Sequence, residues 1–169
     1  MFQVNDHVMY GNQGICTVTD ICRREINGEN ISYYVLQPVF DNKSTIFVPC
    51  KNAQLTGKMR RVLSVDEVTL LIEDICSSEL EWIADDAERK IEYETVIRSG
   101  NRKEIALLIK TLYKHKLQRR EHGKKLHAAD VKLLDTAQKL LHEELAFVLG
   151  ISPGEVPAFI QKKTEEKNR

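Results

Sequence analysis

The chain has 169 residues, 42% hydrophobic and 30% charged, with 25 Lys+Arg against 25 Asp+Glu. That length suits one domain or two small ones, and the apolar share is enough for a buried core, which excludes wholesale disorder. No apolar run approaches the roughly 20 residues that cross a bilayer, and the opening residues lack the blocks of a signal peptide, so the sequence reads as soluble and cytoplasmic, with no membrane partner.

Residues 1–63 read as β. Short runs rich in β-branched and aromatic residues cover 7–10, 15–24, 31–37 and 45–48, punctuated by Gly11, Gly14, Gly28 and Gly57. Between the second and third lies Ile26-Asn27-Gly28-Glu29, and Asn-Gly is the strongest short hairpin signal. Pro38 and Pro49 end strands, because proline cannot donate to a ladder. Strands this short and this closely spaced predict a small curled antiparallel sheet or barrel.

From Ser64 the period turns helical. Ser64-Val65-Asp66-Glu67 is a capping box for a helix to about residue 76. A second helix is predicted over 79–98, ending at Ser99-Gly100, with Leu80, Ala87 and Ile91 as its apolar stripe. Asn101 opens a third to about residue 122, with Ile105, Leu108, Ile109 and Leu112 at helical spacing. A fourth covers 128–149, with Leu134, Ala137, Leu141, Leu145 and Val148 on one stripe and Gly150 as its stop. Ser152-Pro153-Gly154-Glu155 starts a fifth, to about residue 163. The prediction is an α+β chain of two domains: a β domain over 1–63 and an all-α bundle of about five helices over 64–169.

Neutrality hides a segregation of charge. Residues 64–97 carry eleven acids and two bases, and residues 98–132 carry eleven bases and three acids. Lys110, Lys114, Lys116, Arg119, Arg120, Lys124, Lys125 and Lys132 crowd the end of one helix and the start of the next. Such a patch attracts phosphates and releases counterions, and the competing reading is a solvated helix face and loop.

Catalysis leaves no trace. There is no phosphate loop, nucleophile elbow or zinc-protease motif, so neither an enzyme nor a cofactor is expected. Cys16, Cys22, Cys50 and Cys76 form no C-x-x-C pair and read as small buried hydrophobes, with no metal site. His115, His122, His127 and His142 read as solvent-facing residues of a basic region.

Trp82 is the single tryptophan and lies off the stripe of its predicted helix. It either packs against a second element or stands exposed for recognition, as an apolar wedge that can enter a DNA minor groove. In the β domain, Arg24, Ile26 and the strand 44–48 supply an arginine, an exposed apolar tip and a possible sheet edge. That edge can pair with another protein's strand, or these are plain hairpin residues.

One set of motifs runs through both halves in order: Phe2-x-Val4-x-Asp6-x-Val8-x-Tyr10, Gly14, Ile26-Asn27-Gly28, Tyr34-x-Leu36, Val48-Pro49-x-x-Asn52-Ala53 and Gly57-x-Met59-Arg60. Trp82, Ser99-Gly100-Asn101 and Leu133-Leu134-x-x-Ala137-x-x-Leu140-Leu141-x-x-Glu144-Leu145-Ala146 follow. Over about residues 1–150 the chain resembles the CarD/CdnL family of bacterial transcription regulators, whose N-terminal module is shared with the RNA-polymerase-interacting domain of the transcription-repair coupling factor. The resemblance implies a Tudor- or SH3-like barrel that binds the β subunit of RNA polymerase. It also implies a helical domain that touches promoter DNA upstream of the −10 element and affects open-complex stability. By position, Trp82 is the wedge that enters the minor groove at the bubble edge. Arg24 and Ile26 take polymerase-contact positions, with Ile46, Phe47 and Pro49 beside them.

Two departures stand out. Family members often carry bases just after the tryptophan, where this chain has Asp85-Asp86, so Arg89 and Lys90 are expected to take over from the next turn. An arginine common before Val-Pro is Phe47 here. The expected function is a non-enzymatic, monomeric transcription regulator. The alternative is an adaptor that binds polymerase without touching DNA.

Overall fold

Asn27 and Gly28 both adopt positive φ, 52° and 82°, the backbone that a two-residue hairpin turn of the right twist requires. They join β2 (Ile15–Ile26) to β3 (Glu29–Pro38), a long antiparallel pair running from Cys16 opposite Pro38 to Ile26 opposite Glu29. Three short strands complete the sheet: β1 (His7–Tyr10), β4 (Ile46–Pro49) and β5 (Met59–Arg61). The hydrogen-bonded order is β4-β3-β2-β1-β5, with every pairing antiparallel. The computed structural model describes residues 1–41 and 43–167, and it divides into two units, Met1–Leu63 and a second from Ser64 onward.

Alternation places Val8, Cys16, Val18, Tyr34, Leu36 and Val48 on the inner face, where Met59 joins them in one core cluster. Val48 and Met59 come from the two ends of the strand order, so the sheet curls over its inner face. β5 was not legible in the sequence: Met59-Arg60-Arg61 has no strand pattern, and β1 recruits it as a partner. The short helix α1 (Ala53–Thr56) precedes it, capped by Asn52, whose side chain accepts from the Leu55 N–H at 3.1 Å.

A β-bulge between Val18 and Asp20 decides what the outer face carries. Val18 faces the core opposite Leu36, whereas Cys22, Arg24 and Ile26 pair with Tyr33, Ile31 and Glu29 on the outside. The extra residue, Thr19, reverses the parity of every side chain beyond it.

The second unit contains α2 (Val65–Cys76), α3 (Asp86–Ser99), α4 (Arg102–Glu121), α5 (Ala128–Leu149) and α6 (Val156–Lys167). The capping box at Ser64 is present in both directions, and the one at Ser152 opens a 3-10 turn that leads into α6. Four consecutive residues of α4, Ile105 to Leu108, are buried, as befits a helix that packs on α2, α3 and α5. Leu134, Ala137, Leu141 and Leu145 of α5 are buried as predicted, and Val148 is half-buried.

The predicted second helix is corrected at its start. Residues 77–85 are not helical, and α3 begins only at Asp86. Asp85 caps it, accepting from the N–H groups of Ala87 and Glu88 at 3.0 and 2.8 Å, a role aspartate fills better than a helix interior. The segment before it is held by side chains instead. Lys110 Nζ donates to the carbonyls of Ile75 and Ser78, Thr111 to Leu80, and the Tyr93 hydroxyl to Glu81. The predicted stripe also changes: Ala87 and Ile91 are exposed, and α3 buries Arg89, Tyr93 and Ile97. Among the described residues no helix is long and apolar enough to cross a membrane.

Candidate functional site

Trp82 lies in the non-helical segment before α3, half-buried, and three side chains hold its ring. His115 of α4 stacks on it, with centroids 3.6 Å apart and an interplanar angle of 17°. The Arg89 guanidinium sits 4.4 Å from the ring centroid, and Tyr93 meets it edge-on at 6.4 Å. A cavity of about 270 Å³ opens beside the indole, lined by Leu80, Thr111, Lys114, His115 and Gln118 among others.

Arg89 cannot serve as the phosphate contact that the sequence suggested. Its side chain is 2% exposed and its donors are engaged. Nε and Nη2 bind both oxygens of Asp130, at 3.0 and 2.8 Å, and Nη2 also reaches Asp86 at 2.7 Å. Nη1 donates to the carbonyl of Ile83 at 2.9 Å. The hydrogen bonds that Arg89 donates to Asp130 favour the charged guanidinium, and the one it donates to Asp86 holds that carboxyl below the usual carboxylate range. The acids after Trp82 therefore have local duties: Asp85 caps α3 and Asp86 pairs with Arg89.

The predicted cations divide into two groups. Lys110 is spent on the carbonyls at the end of α2, Lys114 pairs with Glu79 at 3.2 Å, and Arg119 Nε donates to the Lys125 carbonyl at 2.7 Å, tying the turn between α4 and α5. Lys90, Lys116, Arg120, Lys124, Lys125 and Lys132 are exposed, and among the described residues their side chains have no ion pair. All but Lys90 cluster around the elbow where α4 turns into α5. At 1.5 Å per residue, Arg120 lies about 8 Å along α4 from His115, so the elbow starts close to the indole.

The β domain presents a second surface. The Arg24 guanidinium lies 4.0 Å from the centroid of the Phe47 ring, and Tyr33 meets Phe47 edge-on at 6.4 Å. Pro49 is opposite Tyr33 on the same face, and Ile26 is exposed near the hairpin tip. Ile46 is the exception among the predicted contacts: strand alternation turns it inward, where it packs on the core. β4 ends the strand order and is therefore an edge strand of the sheet.

Several participants escaped the sequence reading. His115 is not a solvent-facing histidine, and His142 is half-buried as well, with burial pushing its imidazole below the ordinary value. Asp130, in the first turn of α5, is the buried partner of Arg89 and was not singled out by the sequence. Of the cysteines, Cys16 is buried while Cys22, Cys50 and Cys76 are half-buried. Among the described residues no group of three or more His, Cys, Asp or Glu is placed to hold a metal ion.

Residues 2–63 match the CarD-like/TRCF RID domain, and residues 69–161 match the CarD, C-terminal domain. The chain belongs to the CarD family. It is also similar to a Bacillus subtilis (strain 168) protein named "Putative transcription factor YdeB", with 24% identity over 159 residues, covering 94% of this chain and 99% of that protein. The two CarD-family matches fall on the sheet unit and the helical unit respectively, and with this relative they make the chain a transcription regulator.

Proposed function

We propose that this CarD-family protein acts as a cytoplasmic monomer that docks on the RNA polymerase β subunit and meets promoter DNA with its helical domain. Arg24, Ile26, Tyr33, Phe47 and Pro49 are the docking face. Trp82 contacts the minor groove at the upstream edge of the bubble and alters open-complex lifetime. Lys116, Arg120, Lys124, Lys125 and Lys132 bind the flanking phosphates. The observation that carries this reading is the half-exposed indole, gripped by Arg89, His115 and Tyr93 beside an elbow of exposed cations. Phosphate contacts then fix position, and the ease with which a step unstacks supplies selectivity.

Trp82→Ala is expected to leave the circular dichroism spectrum unchanged, since the side chain is only half-buried and costs less than the roughly 3–5 kcal/mol of a fully buried aromatic. The same variant should lose the effect on open-complex lifetime in transcription with purified polymerase. A lifetime effect equal to that of the unmodified chain would refute the wedge.

The adaptor reading has its own support. Glu79 and Glu81 border the cavity beside Trp82, and Asp86 is 67% exposed, so acidic side chains stand near the indole. Salt titration of binding to forked promoter DNA separates the two. The DNA reading requires affinity to fall with salt, and Lys124→Glu combined with Lys125→Glu should shallow the log–log slope by about two. A slope near zero, untouched by these substitutions, favours the adaptor.

A further inference from the structure

We infer that His115 is the positioning residue for Trp82: its imidazole is the platform that fixes the pose of the indole. The consequence for promoter DNA rests on the function proposed above, whereas the positioning does not.

The argument begins with the backbone. Trp82 stands outside any helix, so no helical backbone dictates where its ring points. Its pose must come from contacts. Tyr93 offers an edge, and its hydroxyl is occupied by the Glu81 carbonyl. Arg89 offers a cation whose position is set by Asp130 and Asp86. His115 alone lies parallel to the indole, at 3.6 Å and 17°. Among the described residues its ring makes no hydrogen bond, and its close contact is the overlap with Trp82. It is carried by a helix whose neighbouring Leu112 is fully buried, which gives the platform a rigid base.

The surroundings favour a neutral ring. Burial disfavours the imidazolium most, and Arg119 on the same helix, Arg89 on α3 and His127 at the start of α5 add to this. Asp130 opposes them, but both its oxygens are bound to Arg89. On the cavity side, Lys114 is paired with Glu79, Lys110 is tied to carbonyls, and Glu81 and Gln118 complete the border. The affinity of His115 for a proton is thus lower in the folded chain than in the unfolded one. Its contribution is therefore fully present above the ordinary value of 6.5 and is lost as pH falls below it.

Because Trp82 is the only tryptophan of the chain, its emission reports on this site alone. The experiment uses the full chain, with acrylamide as the quencher. An aromatic stack of this kind biases the rotamer equilibrium by about two- to ten-fold. His115→Ala should accordingly raise the acrylamide quenching constant and lower the emission anisotropy, and His115→Phe should restore both. Emission of the unmodified chain should fall on acidification with a midpoint below 6.5, since an imidazolium quenches a stacked indole. His115→Phe should abolish that step and His127→Ala should keep it.

Unmodified quenching and anisotropy in His115→Ala, or a pH step that survives in His115→Phe, would overturn the proposal. If His115→Ala does not fold, His115→Phe and His115→Gln carry the test, the first expected to match the unmodified anisotropy and the second to fall short. With polymerase present, His115→Ala should weaken the effect on open-complex lifetime several-fold and His115→Phe should retain it. Should Trp82→Ala leave that lifetime unchanged, the wedge fails while the quenching result still decides the role of His115.

Discussion

Asp130→Ala is expected to destabilise the helical unit by about 3–5 kcal/mol, the loss typical when one partner of a buried ion pair is removed. Arg89 and Asp130 are each 2% exposed and meet through two parallel hydrogen bonds. A guanidinium does not shed its proton at any accessible pH, so the variant must keep a charge in the interior with Asp86 and backbone carbonyls as its remaining partners. Asp130→Asn should cost less, because it keeps one acceptor. Joint replacement by Arg89→Met and Asp130→Leu should recover much of the loss, since no unpaired charge stays behind. Urea denaturation of the two single variants and the double variant measures all three. A loss below about 1 kcal/mol for Asp130→Ala would show that the pair is not sealed from solvent.

Phe47→Ala is expected to weaken binding to RNA polymerase by about 2 kcal/mol, roughly thirty-fold in Kd, while leaving stability nearly unchanged. Phe47 is exposed at the centre of a small aromatic group and supports the Arg24 guanidinium at 4.0 Å. Aromatic rings and arginines that are already ordered lose little entropy on binding, which is why they dominate interfaces. Arg24→Glu should weaken binding further, because it removes the stacked cation and sets a carboxylate in its place. Ile46, on the same strand but facing the core, is expected to affect stability rather than affinity. Titration of immobilised polymerase β subunit with each variant tests the set. Equal affinities for Phe47→Ala and the unmodified chain would remove this face from the docking surface.

Much of the fold was legible because its signals are local. Asn27-Gly28 forces a turn, and Ser64 with Glu67 satisfies the donors of a helix start within one turn of chain. The apolar spacing of residues 105–112 and 134–145 names the faces that α4 and α5 bury. The second helix was misread where two local signals competed. Residues 79–98 carry few helix breakers, yet Asp85 caps better than it extends, and the carbonyls before it found donors on α4 and α3 that no window of sequence reveals. The same limitation explains Arg89. A surface cation and a buried one look identical in sequence, and what separates them is Asp130, 41 residues away.

The sequence by itself determined a sheet domain followed by a helical one, the hairpin, the caps and the cationic stretch, because each follows from neighbours a few residues apart. Tertiary structure alone decided three things: that a one-residue bulge turns Arg24 outward to meet Phe47, that Arg89 is an internal strut, and that Trp82 rests on His115. Each of these depends on which distant groups share a desolvated place. The free energy of a charge or an aromatic ring there is set by its partners, not by its position along the chain.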